Sequence, residues 1–201
     1  MPKQTKIKTA SASAPLYQLK ITLKWSQPPI WRRVLVRGDM TLDCLHDVIQ
    51  LAMGWTDSHM HQFIVGSKSA CTYYGNTEPA FGSMDGEMLD ESRYTVAGIA
   101  PAARHKFIYE YDFGDGWEHE VVAEKILPPD AGFKHPTCLA GEMACPPEDC
   151  GGVPGYDNLR EILADPKHPE HDEMKDWIGG DLDAATFDLK KVNAVLKRLK
   201  T

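Results

Sequence analysis

The stretch Tyr111-Asp112-Phe113-Gly114-Asp115-Gly116-Trp117-Glu118-His119-Glu120 constrains this chain more than any other. Alternating apolar and polar residues run into Asp115-Gly116 and a second alternating run leaves it. That is the pattern of two antiparallel strands joined by a tight turn. An Asp-Gly turn of two residues sets Asp112 directly across from His119, with Cβ atoms about 4.5–5.5 Å apart. The hairpin, Arg104 to Leu127, therefore predicts both the centre of a sheet and a polar cluster at its turn.

The flanking sequence supplies the rest of that sheet. Tyr17, Leu19, Ile21 and Leu23 alternate with Gln18, Lys20, Thr22 and Lys24, the period of a half-buried strand. Pro28-Pro29 interrupts it, and Trp31–Arg37 resumes as a second strand. Over 41–53, Leu45, Val48, Ile49 and Ala52 form one helical stripe, with Gly54 placed to end the helix. Short strands follow at 60–66 and 70–74, then a long loop at 75–90. From 128 to 155, Pro, Gly, Cys and acidic residues dominate and no regular element is expected. Helices close the chain at 156–164, 169–178 and 187–199, the last with Leu189, Val192, Leu196 and Leu199 on one seam. Strands first and helices last give an α+β class: an antiparallel or mixed sheet with a central β-hairpin, one early helix and a C-terminal helical segment. Residues 1–14 lack a hydrophobic pattern and read as a disordered tail, leaving 15–201 as a single domain.

A net charge of −7 argues against broad binding to a phosphate backbone. No apolar run reaches the roughly 18 residues that span a bilayer, and no signal-peptide core follows the first lysines. The five cysteines, an odd number, are expected to be reduced thiols or metal ligands in a cytoplasmic protein.

Two constellations carry chemistry. Cys138, Cys145 and Cys150 lie in the irregular segment, which at that length needs something to hold it. Zinc on the three thiolates, with His135 or His119 as fourth ligand, would do so, although the spacing is not the paired Cys-x-x-Cys of a strong zinc motif. Packed, protonated thiols in a proline-pinned loop are the plainer reading. The second constellation is His59, His61, Asp112, Asp115 and His119. A carboxylate beside an imidazole suits a general base or a metal ligand, and His59 and His61, two apart on a strand, would reach one ion. The plainer reading makes Asp115 a turn residue, Asp112 a cap for local amides, and Trp117 and His119 packing residues. Trp31-Arg32-Arg33 reads as a strand with a solvated arginine edge. No dinucleotide, Walker, nucleophile-elbow or His-Glu-x-x-His motif is present.

PPIWRRVLV (28–36), LHDVIQLAMGWTDSHMHQF (45–63), YDFGDGWEHEV (111–121) and CLAGEMACPPEDCGGVPGY (138–156) together resemble the plasmid pRiA4b ORF-3-like family, also labelled passenger TnpR proteins of insertion elements. The resemblance spans residues 16–199 and implies one α+β domain without a transferable activity. No recombinase pattern supports the resolvase-like label. Two functions follow as expectations. One is a non-enzymatic module, zinc-stabilised and binding a protein or nucleic-acid partner, linked to plasmid or insertion-element biology. The other is a metal-dependent hydrolase or nuclease with a His/Asp site at the hairpin turn.

Overall fold

The computed structural model describes residues 13–67, 69–77 and 88–199. The expected tail falls almost wholly outside them, as does most of the loop at 75–90. Among the described residues, eight strands form one sheet: β1 (Leu16–Leu23), β2 (Trp31–Arg37), β3 (His61–Ser67), β4 (Ala70–Gly75), β5 (Met88–Asp90), β6 (Lys106–Tyr111), β7 (Trp117–Leu127) and β8 (Thr137–Glu142). Their spatial order is β5-β4-β3-β6-β7-β1-β2-β8, so the hairpin β6–β7 occupies the middle. All pairings are antiparallel except β4 with β5, which makes the sheet mixed.

Strand alternation sorts the side chains as the period of two requires. Leu19, Ile21, Leu23, Val34, Val36, Phe63, Phe107, Tyr109, Tyr111, Trp117 and Val121 are buried on one face. The other face carries cross-strand ion pairs, Lys24–Glu118, Arg33–Glu124 and Lys106–Glu120. Helix α1 (Leu42–Met53) buries Leu45, Val48, Ile49 and Ala52, and also His46 and Gln50. Gly54 ends it in the left-handed region (φ 102°), donating its N–H to the Gln50 carbonyl.

Two expectations are corrected. The irregular segment contains β8, which pairs with β2 through Trp31↔Glu142 to Leu35↔Thr137 and forms one edge of the sheet. Arg32 is consequently not on a solvated edge. It is 2% exposed, donates Nε to the Ala52 carbonyl and Nη1 to the Trp31 and Glu142 carbonyls, and stacks on Phe187. Likewise the last three residues of the predicted 75–90 loop are β5.

Three helices follow a short α2 (Val96–Ile99): α3 (Gly152–Ala164), α4 (His171–Trp177) and α5 (Leu189–Leu196). Asn193 on α5 clamps the outer strand, accepting from the Cys138 N–H and donating to the Cys138 carbonyl, both at 2.9 Å. The clamp occupies one backbone N–H and one carbonyl that the edge strand would otherwise offer to another strand. Of the predicted seam, Leu196 is fully buried and Val192 and Leu199 pack against the core, while Leu189 stays exposed.

Candidate functional site

The hairpin turn is longer than an Asp-Gly dipeptide. Tyr111 pairs with Trp117, so residues 112–116 make the connection. Asp112 adopts φ 55° and Gly116 φ 65°. The Gly116 N–H closes the loop on the Asp112 carbonyl at 2.6 Å, and Asp112 Oδ1 accepts from Gly114 N (3.0 Å) and Asp115 N (3.4 Å). An aspartate that supplies its own turn hydrogen bonds tolerates the left-handed backbone. This register places His119 opposite Tyr109, not opposite Asp112 as expected. His119 is fully buried, with Nδ1 donating to the Tyr109 carbonyl at 3.3 Å and Nε2 without a partner. Burial pushes its pKa down to about 4.

Two other loops fold onto the turn. From the α1–β3 connection, the Trp55 indole donates to the Pro146 carbonyl at 3.0 Å and the Ser58 N–H donates to the Tyr111 hydroxyl at 3.0 Å. That hydroxyl donates onward to Glu148 at 2.5 Å, and the other Glu148 oxygen accepts from Thr56 Oγ1 at 2.5 Å. Between the turn and the second loop, the Gly151 N–H donates to Asp115 Oδ2 at 3.1 Å. Gly152, at φ 70°, brings its backbone so close to the Asp115 carbonyl that a Cβ there would lie 2.3 Å from the oxygen. Gly152 thus permits a backbone contact that any side chain would obstruct.

These contacts set His59 Nε2 3.1 Å from Asp149 Oδ1 and 3.7 Å from Asp112 Oδ2. One ligand atom from each of the three residues lies within 4.8 Å of the other two. The Asp149 contact has ion-pair distance without hydrogen-bond alignment, so the buried Nε2 has no hydrogen-bond partner. An imidazole and two carboxylates in this spacing can hold a divalent cation.

His61 belongs elsewhere. His59 precedes β3 and His61 begins it, so the two do not share a strand face and do not converge on one ion. The His61 ring stacks on His46 from α1, centroids 3.5 Å apart and planes 9° apart. Its Nε2 lies 2.9 Å from Glu91, while His46 Nε2 lies 2.8 Å from Asp57 and His46 Nδ1 2.8 Å from the Tyr109 hydroxyl. Gln50 completes the network, donating to Tyr109 and accepting from the Asp57 N–H.

Among the described residues, the groups of three or more metal-ligating side chains include no cysteine. Cys138 is on β8, bonded through Sγ to the Ala140 carbonyl, and Cys145 and Cys150 lie in the loop before α3. Burial pushes the thiols of Cys138 and Cys145 up, the latter far, and that of Cys150 up to about 12. Protonated, packed thiols match this arrangement, and His135 bonds locally to the Pro136 carbonyl. Sequence reasoning missed Asp149, Asp57, His46 and Glu91. Asp149 sits inside the distinctive CPPEDCGG string, but nothing in its spacing says that the string docks on the hairpin.

The chain matches the plasmid pRiA4b ORF-3-like protein family over residues 15–191. It is 36% identical over 187 residues to the uncharacterized protein y4hQ of Sinorhizobium fredii, covering 92% of this chain and 93% of that one. The crystal structure of MM3350 from Methanosarcina mazei Go1, a protein of unknown function, superposes with a TM-score of 0.78 at 34% identity, covering 89% of this chain and 97% of that one. The chain belongs to the plasmid pRiA4b ORF-3-like family.

Proposed function

We propose that the protein is a binding module that holds a divalent cation at the hairpin turn and uses its free coordination positions to take an oxygen from an anionic partner. The observation that carries this reading is the convergence of His59, Asp112 and Asp149 from three separate loops to within 4.8 Å. Asp115 and Glu148 sit in the same three-loop junction, bonded to Gly151 N and to Tyr111 and Thr56. So many carboxylates on a chain of net charge −7 repel a bare phosphate or carboxylate. A dication reverses the local sign and supplies the bridge. Among the described residues no cysteine joins a group of three ligand atoms within 4.8 Å, so this reading does not draw on a thiolate-zinc site.

A second reading, a metal-dependent hydrolase, is favoured by one feature: three protein ligands leave room for a metal-bound water. One experiment addresses both. Untagged protein is titrated with MnCl2 by calorimetry, alongside Asp149→Asn and Asp112→Asn. A labelled single-stranded oligonucleotide is then followed by anisotropy with and without Mn2+, and its length checked afterwards on a gel. Saturable Mn2+ binding lost in the variants, with cation-dependent retention of intact oligonucleotide, supports the module. Shortened oligonucleotide moves the assignment to the hydrolase. Absence of saturable binding, or unchanged binding in both variants, overturns the cation site itself.

A further inference from the structure

We infer that Tyr111 is the positioning residue of the cation site at the hairpin turn, its hydroxyl fixing the spacing of the three ligands. The inference rests on the cation reading above and goes beyond it by naming what holds the ligands apart and in place. His59 follows Ser58, Asp112 follows Tyr111 and Asp149 follows Glu148. The Ser58 N–H donates to the Tyr111 hydroxyl, and that hydroxyl donates to Glu148. The three loops that supply the ligands therefore meet at one oxygen atom, through the residue that precedes each ligand. Consecutive Cα atoms lie about 3.8 Å apart across a planar peptide, so holding one residue holds the backbone of the next.

The surrounding contacts reinforce that junction. Glu148 receives Tyr111 on Oε1, and on Oε2 it receives both the N–H and the hydroxyl of Thr56. With both oxygens engaged, Glu148 ties the loop before α3 to the α1–β3 loop and holds Asp149 beside His59. Asp112 Oδ1 is taken by the Gly114 and Asp115 amides, which leaves Oδ2 directed at His59. The Tyr111 ring is 0% exposed and lies between Trp55, stacked at 5.0 Å, and His59, packed edge-on at 5.8 Å. The ring thus limits the orientation of the His59 imidazole, and the hydroxyl limits its backbone. Burial, and after it the bond to the Glu148 carboxylate, raises the Tyr111 pKa, so the hydroxyl keeps its proton and remains a donor. Groups that hold a metal ligand from behind typically carry roughly 10- to 100-fold of the affinity for the metal.

Untagged wild type, Tyr111→Phe, Asp149→Asn and Ile21→Val are titrated with MnCl2 by calorimetry, well below the melting temperature of each. Bound Mn2+ is then examined by electron paramagnetic resonance. Tyr111→Phe keeps the ring and removes one hydroxyl. Ile21 is 0% exposed on β1, outside the three loops, and its truncation has a similar cost to stability. Tyr111→Phe is expected to bind Mn2+ at least about tenfold more weakly than the wild type. Its hyperfine lines broaden, because the ligands are no longer held in one arrangement. Ile21→Val should match the wild type in both readouts, and Asp149→Asn should lose saturable binding. Tyr111→Phe that keeps wild-type affinity and line shape overturns the positioning role while the cation site stands. Equal weakening in Ile21→Val does the same, since the effect is then a general loss of stability. A wild type that takes up no Mn2+ overturns the cation reading itself, and this inference with it.

Discussion

His119 makes the fold sensitive to acid in a way that one substitution isolates. Its ring lies on the core face of β7, 0% exposed, between Trp55 and Tyr109. Burial lowers its pKa from 6.5 to about 4, the Tyr109 carbonyl opposes that shift, and the charge of Arg32 adds to it. Because the folded pKa lies below the unfolded one, this stability is complete above pH 6.5 and is lost as pH falls towards 4. A displacement from 6.5 to about 4 is worth at most about 3 kcal/mol, of which about 2 kcal/mol is gone by pH 5. His119→Gln keeps an N–H for the Tyr109 carbonyl and cannot ionise. Urea denaturation at pH 7 and pH 5 should show the wild type losing about 2 kcal/mol more than His119→Gln. Equal losses in the two proteins would show that the imidazole is not held neutral by burial, and the reasoning fails.

The docking of the Cys150–Gly152 segment on the hairpin predicts that Gly152→Ala destabilises by more than about 1 kcal/mol, since φ is 70° and the new Cβ meets the Asp115 carbonyl. A melting temperature within a degree of the wild type would contradict it. Thiol labelling of the native protein at pH 8 should show a fast phase that Cys71→Ser removes, with Cys138, Cys145 and Cys150 reacting only after unfolding because burial keeps them protonated. Fast native labelling of Cys145 would refute the packing described for it.

Much of the sheet is legible because its strands are half-buried and alternate cleanly. Tyr17 to Leu23 and Phe107 to Val121 reveal their buried face through the period alone. The hairpin register is harder to read. Asp115-Gly116 looks like a complete two-residue turn, but Asp112 takes the left-handed conformation and starts the turn three residues earlier. That one difference moves His119 away from Asp112 and into the core. β8 hides because Thr137-Cys138-Leu139-Ala140-Gly141-Glu142 has little β-branching and depends on β2 and Asn193 for its place. The site residues were half visible. His59, His61 and Asp112 stand out as types, but their partners come from an amphipathic helix, a short turn and an acidic loop. Only tertiary contacts join His46 to Asp57, or Asp149 to His59.

The cation site at the hairpin turn is tested most directly by anomalous diffraction from crystals grown with MnCl2. The account predicts a manganese peak bounded by His59 Nε2, Asp112 Oδ2 and Asp149 Oδ1. A well-ordered turn with no anomalous density among those three atoms would contradict it.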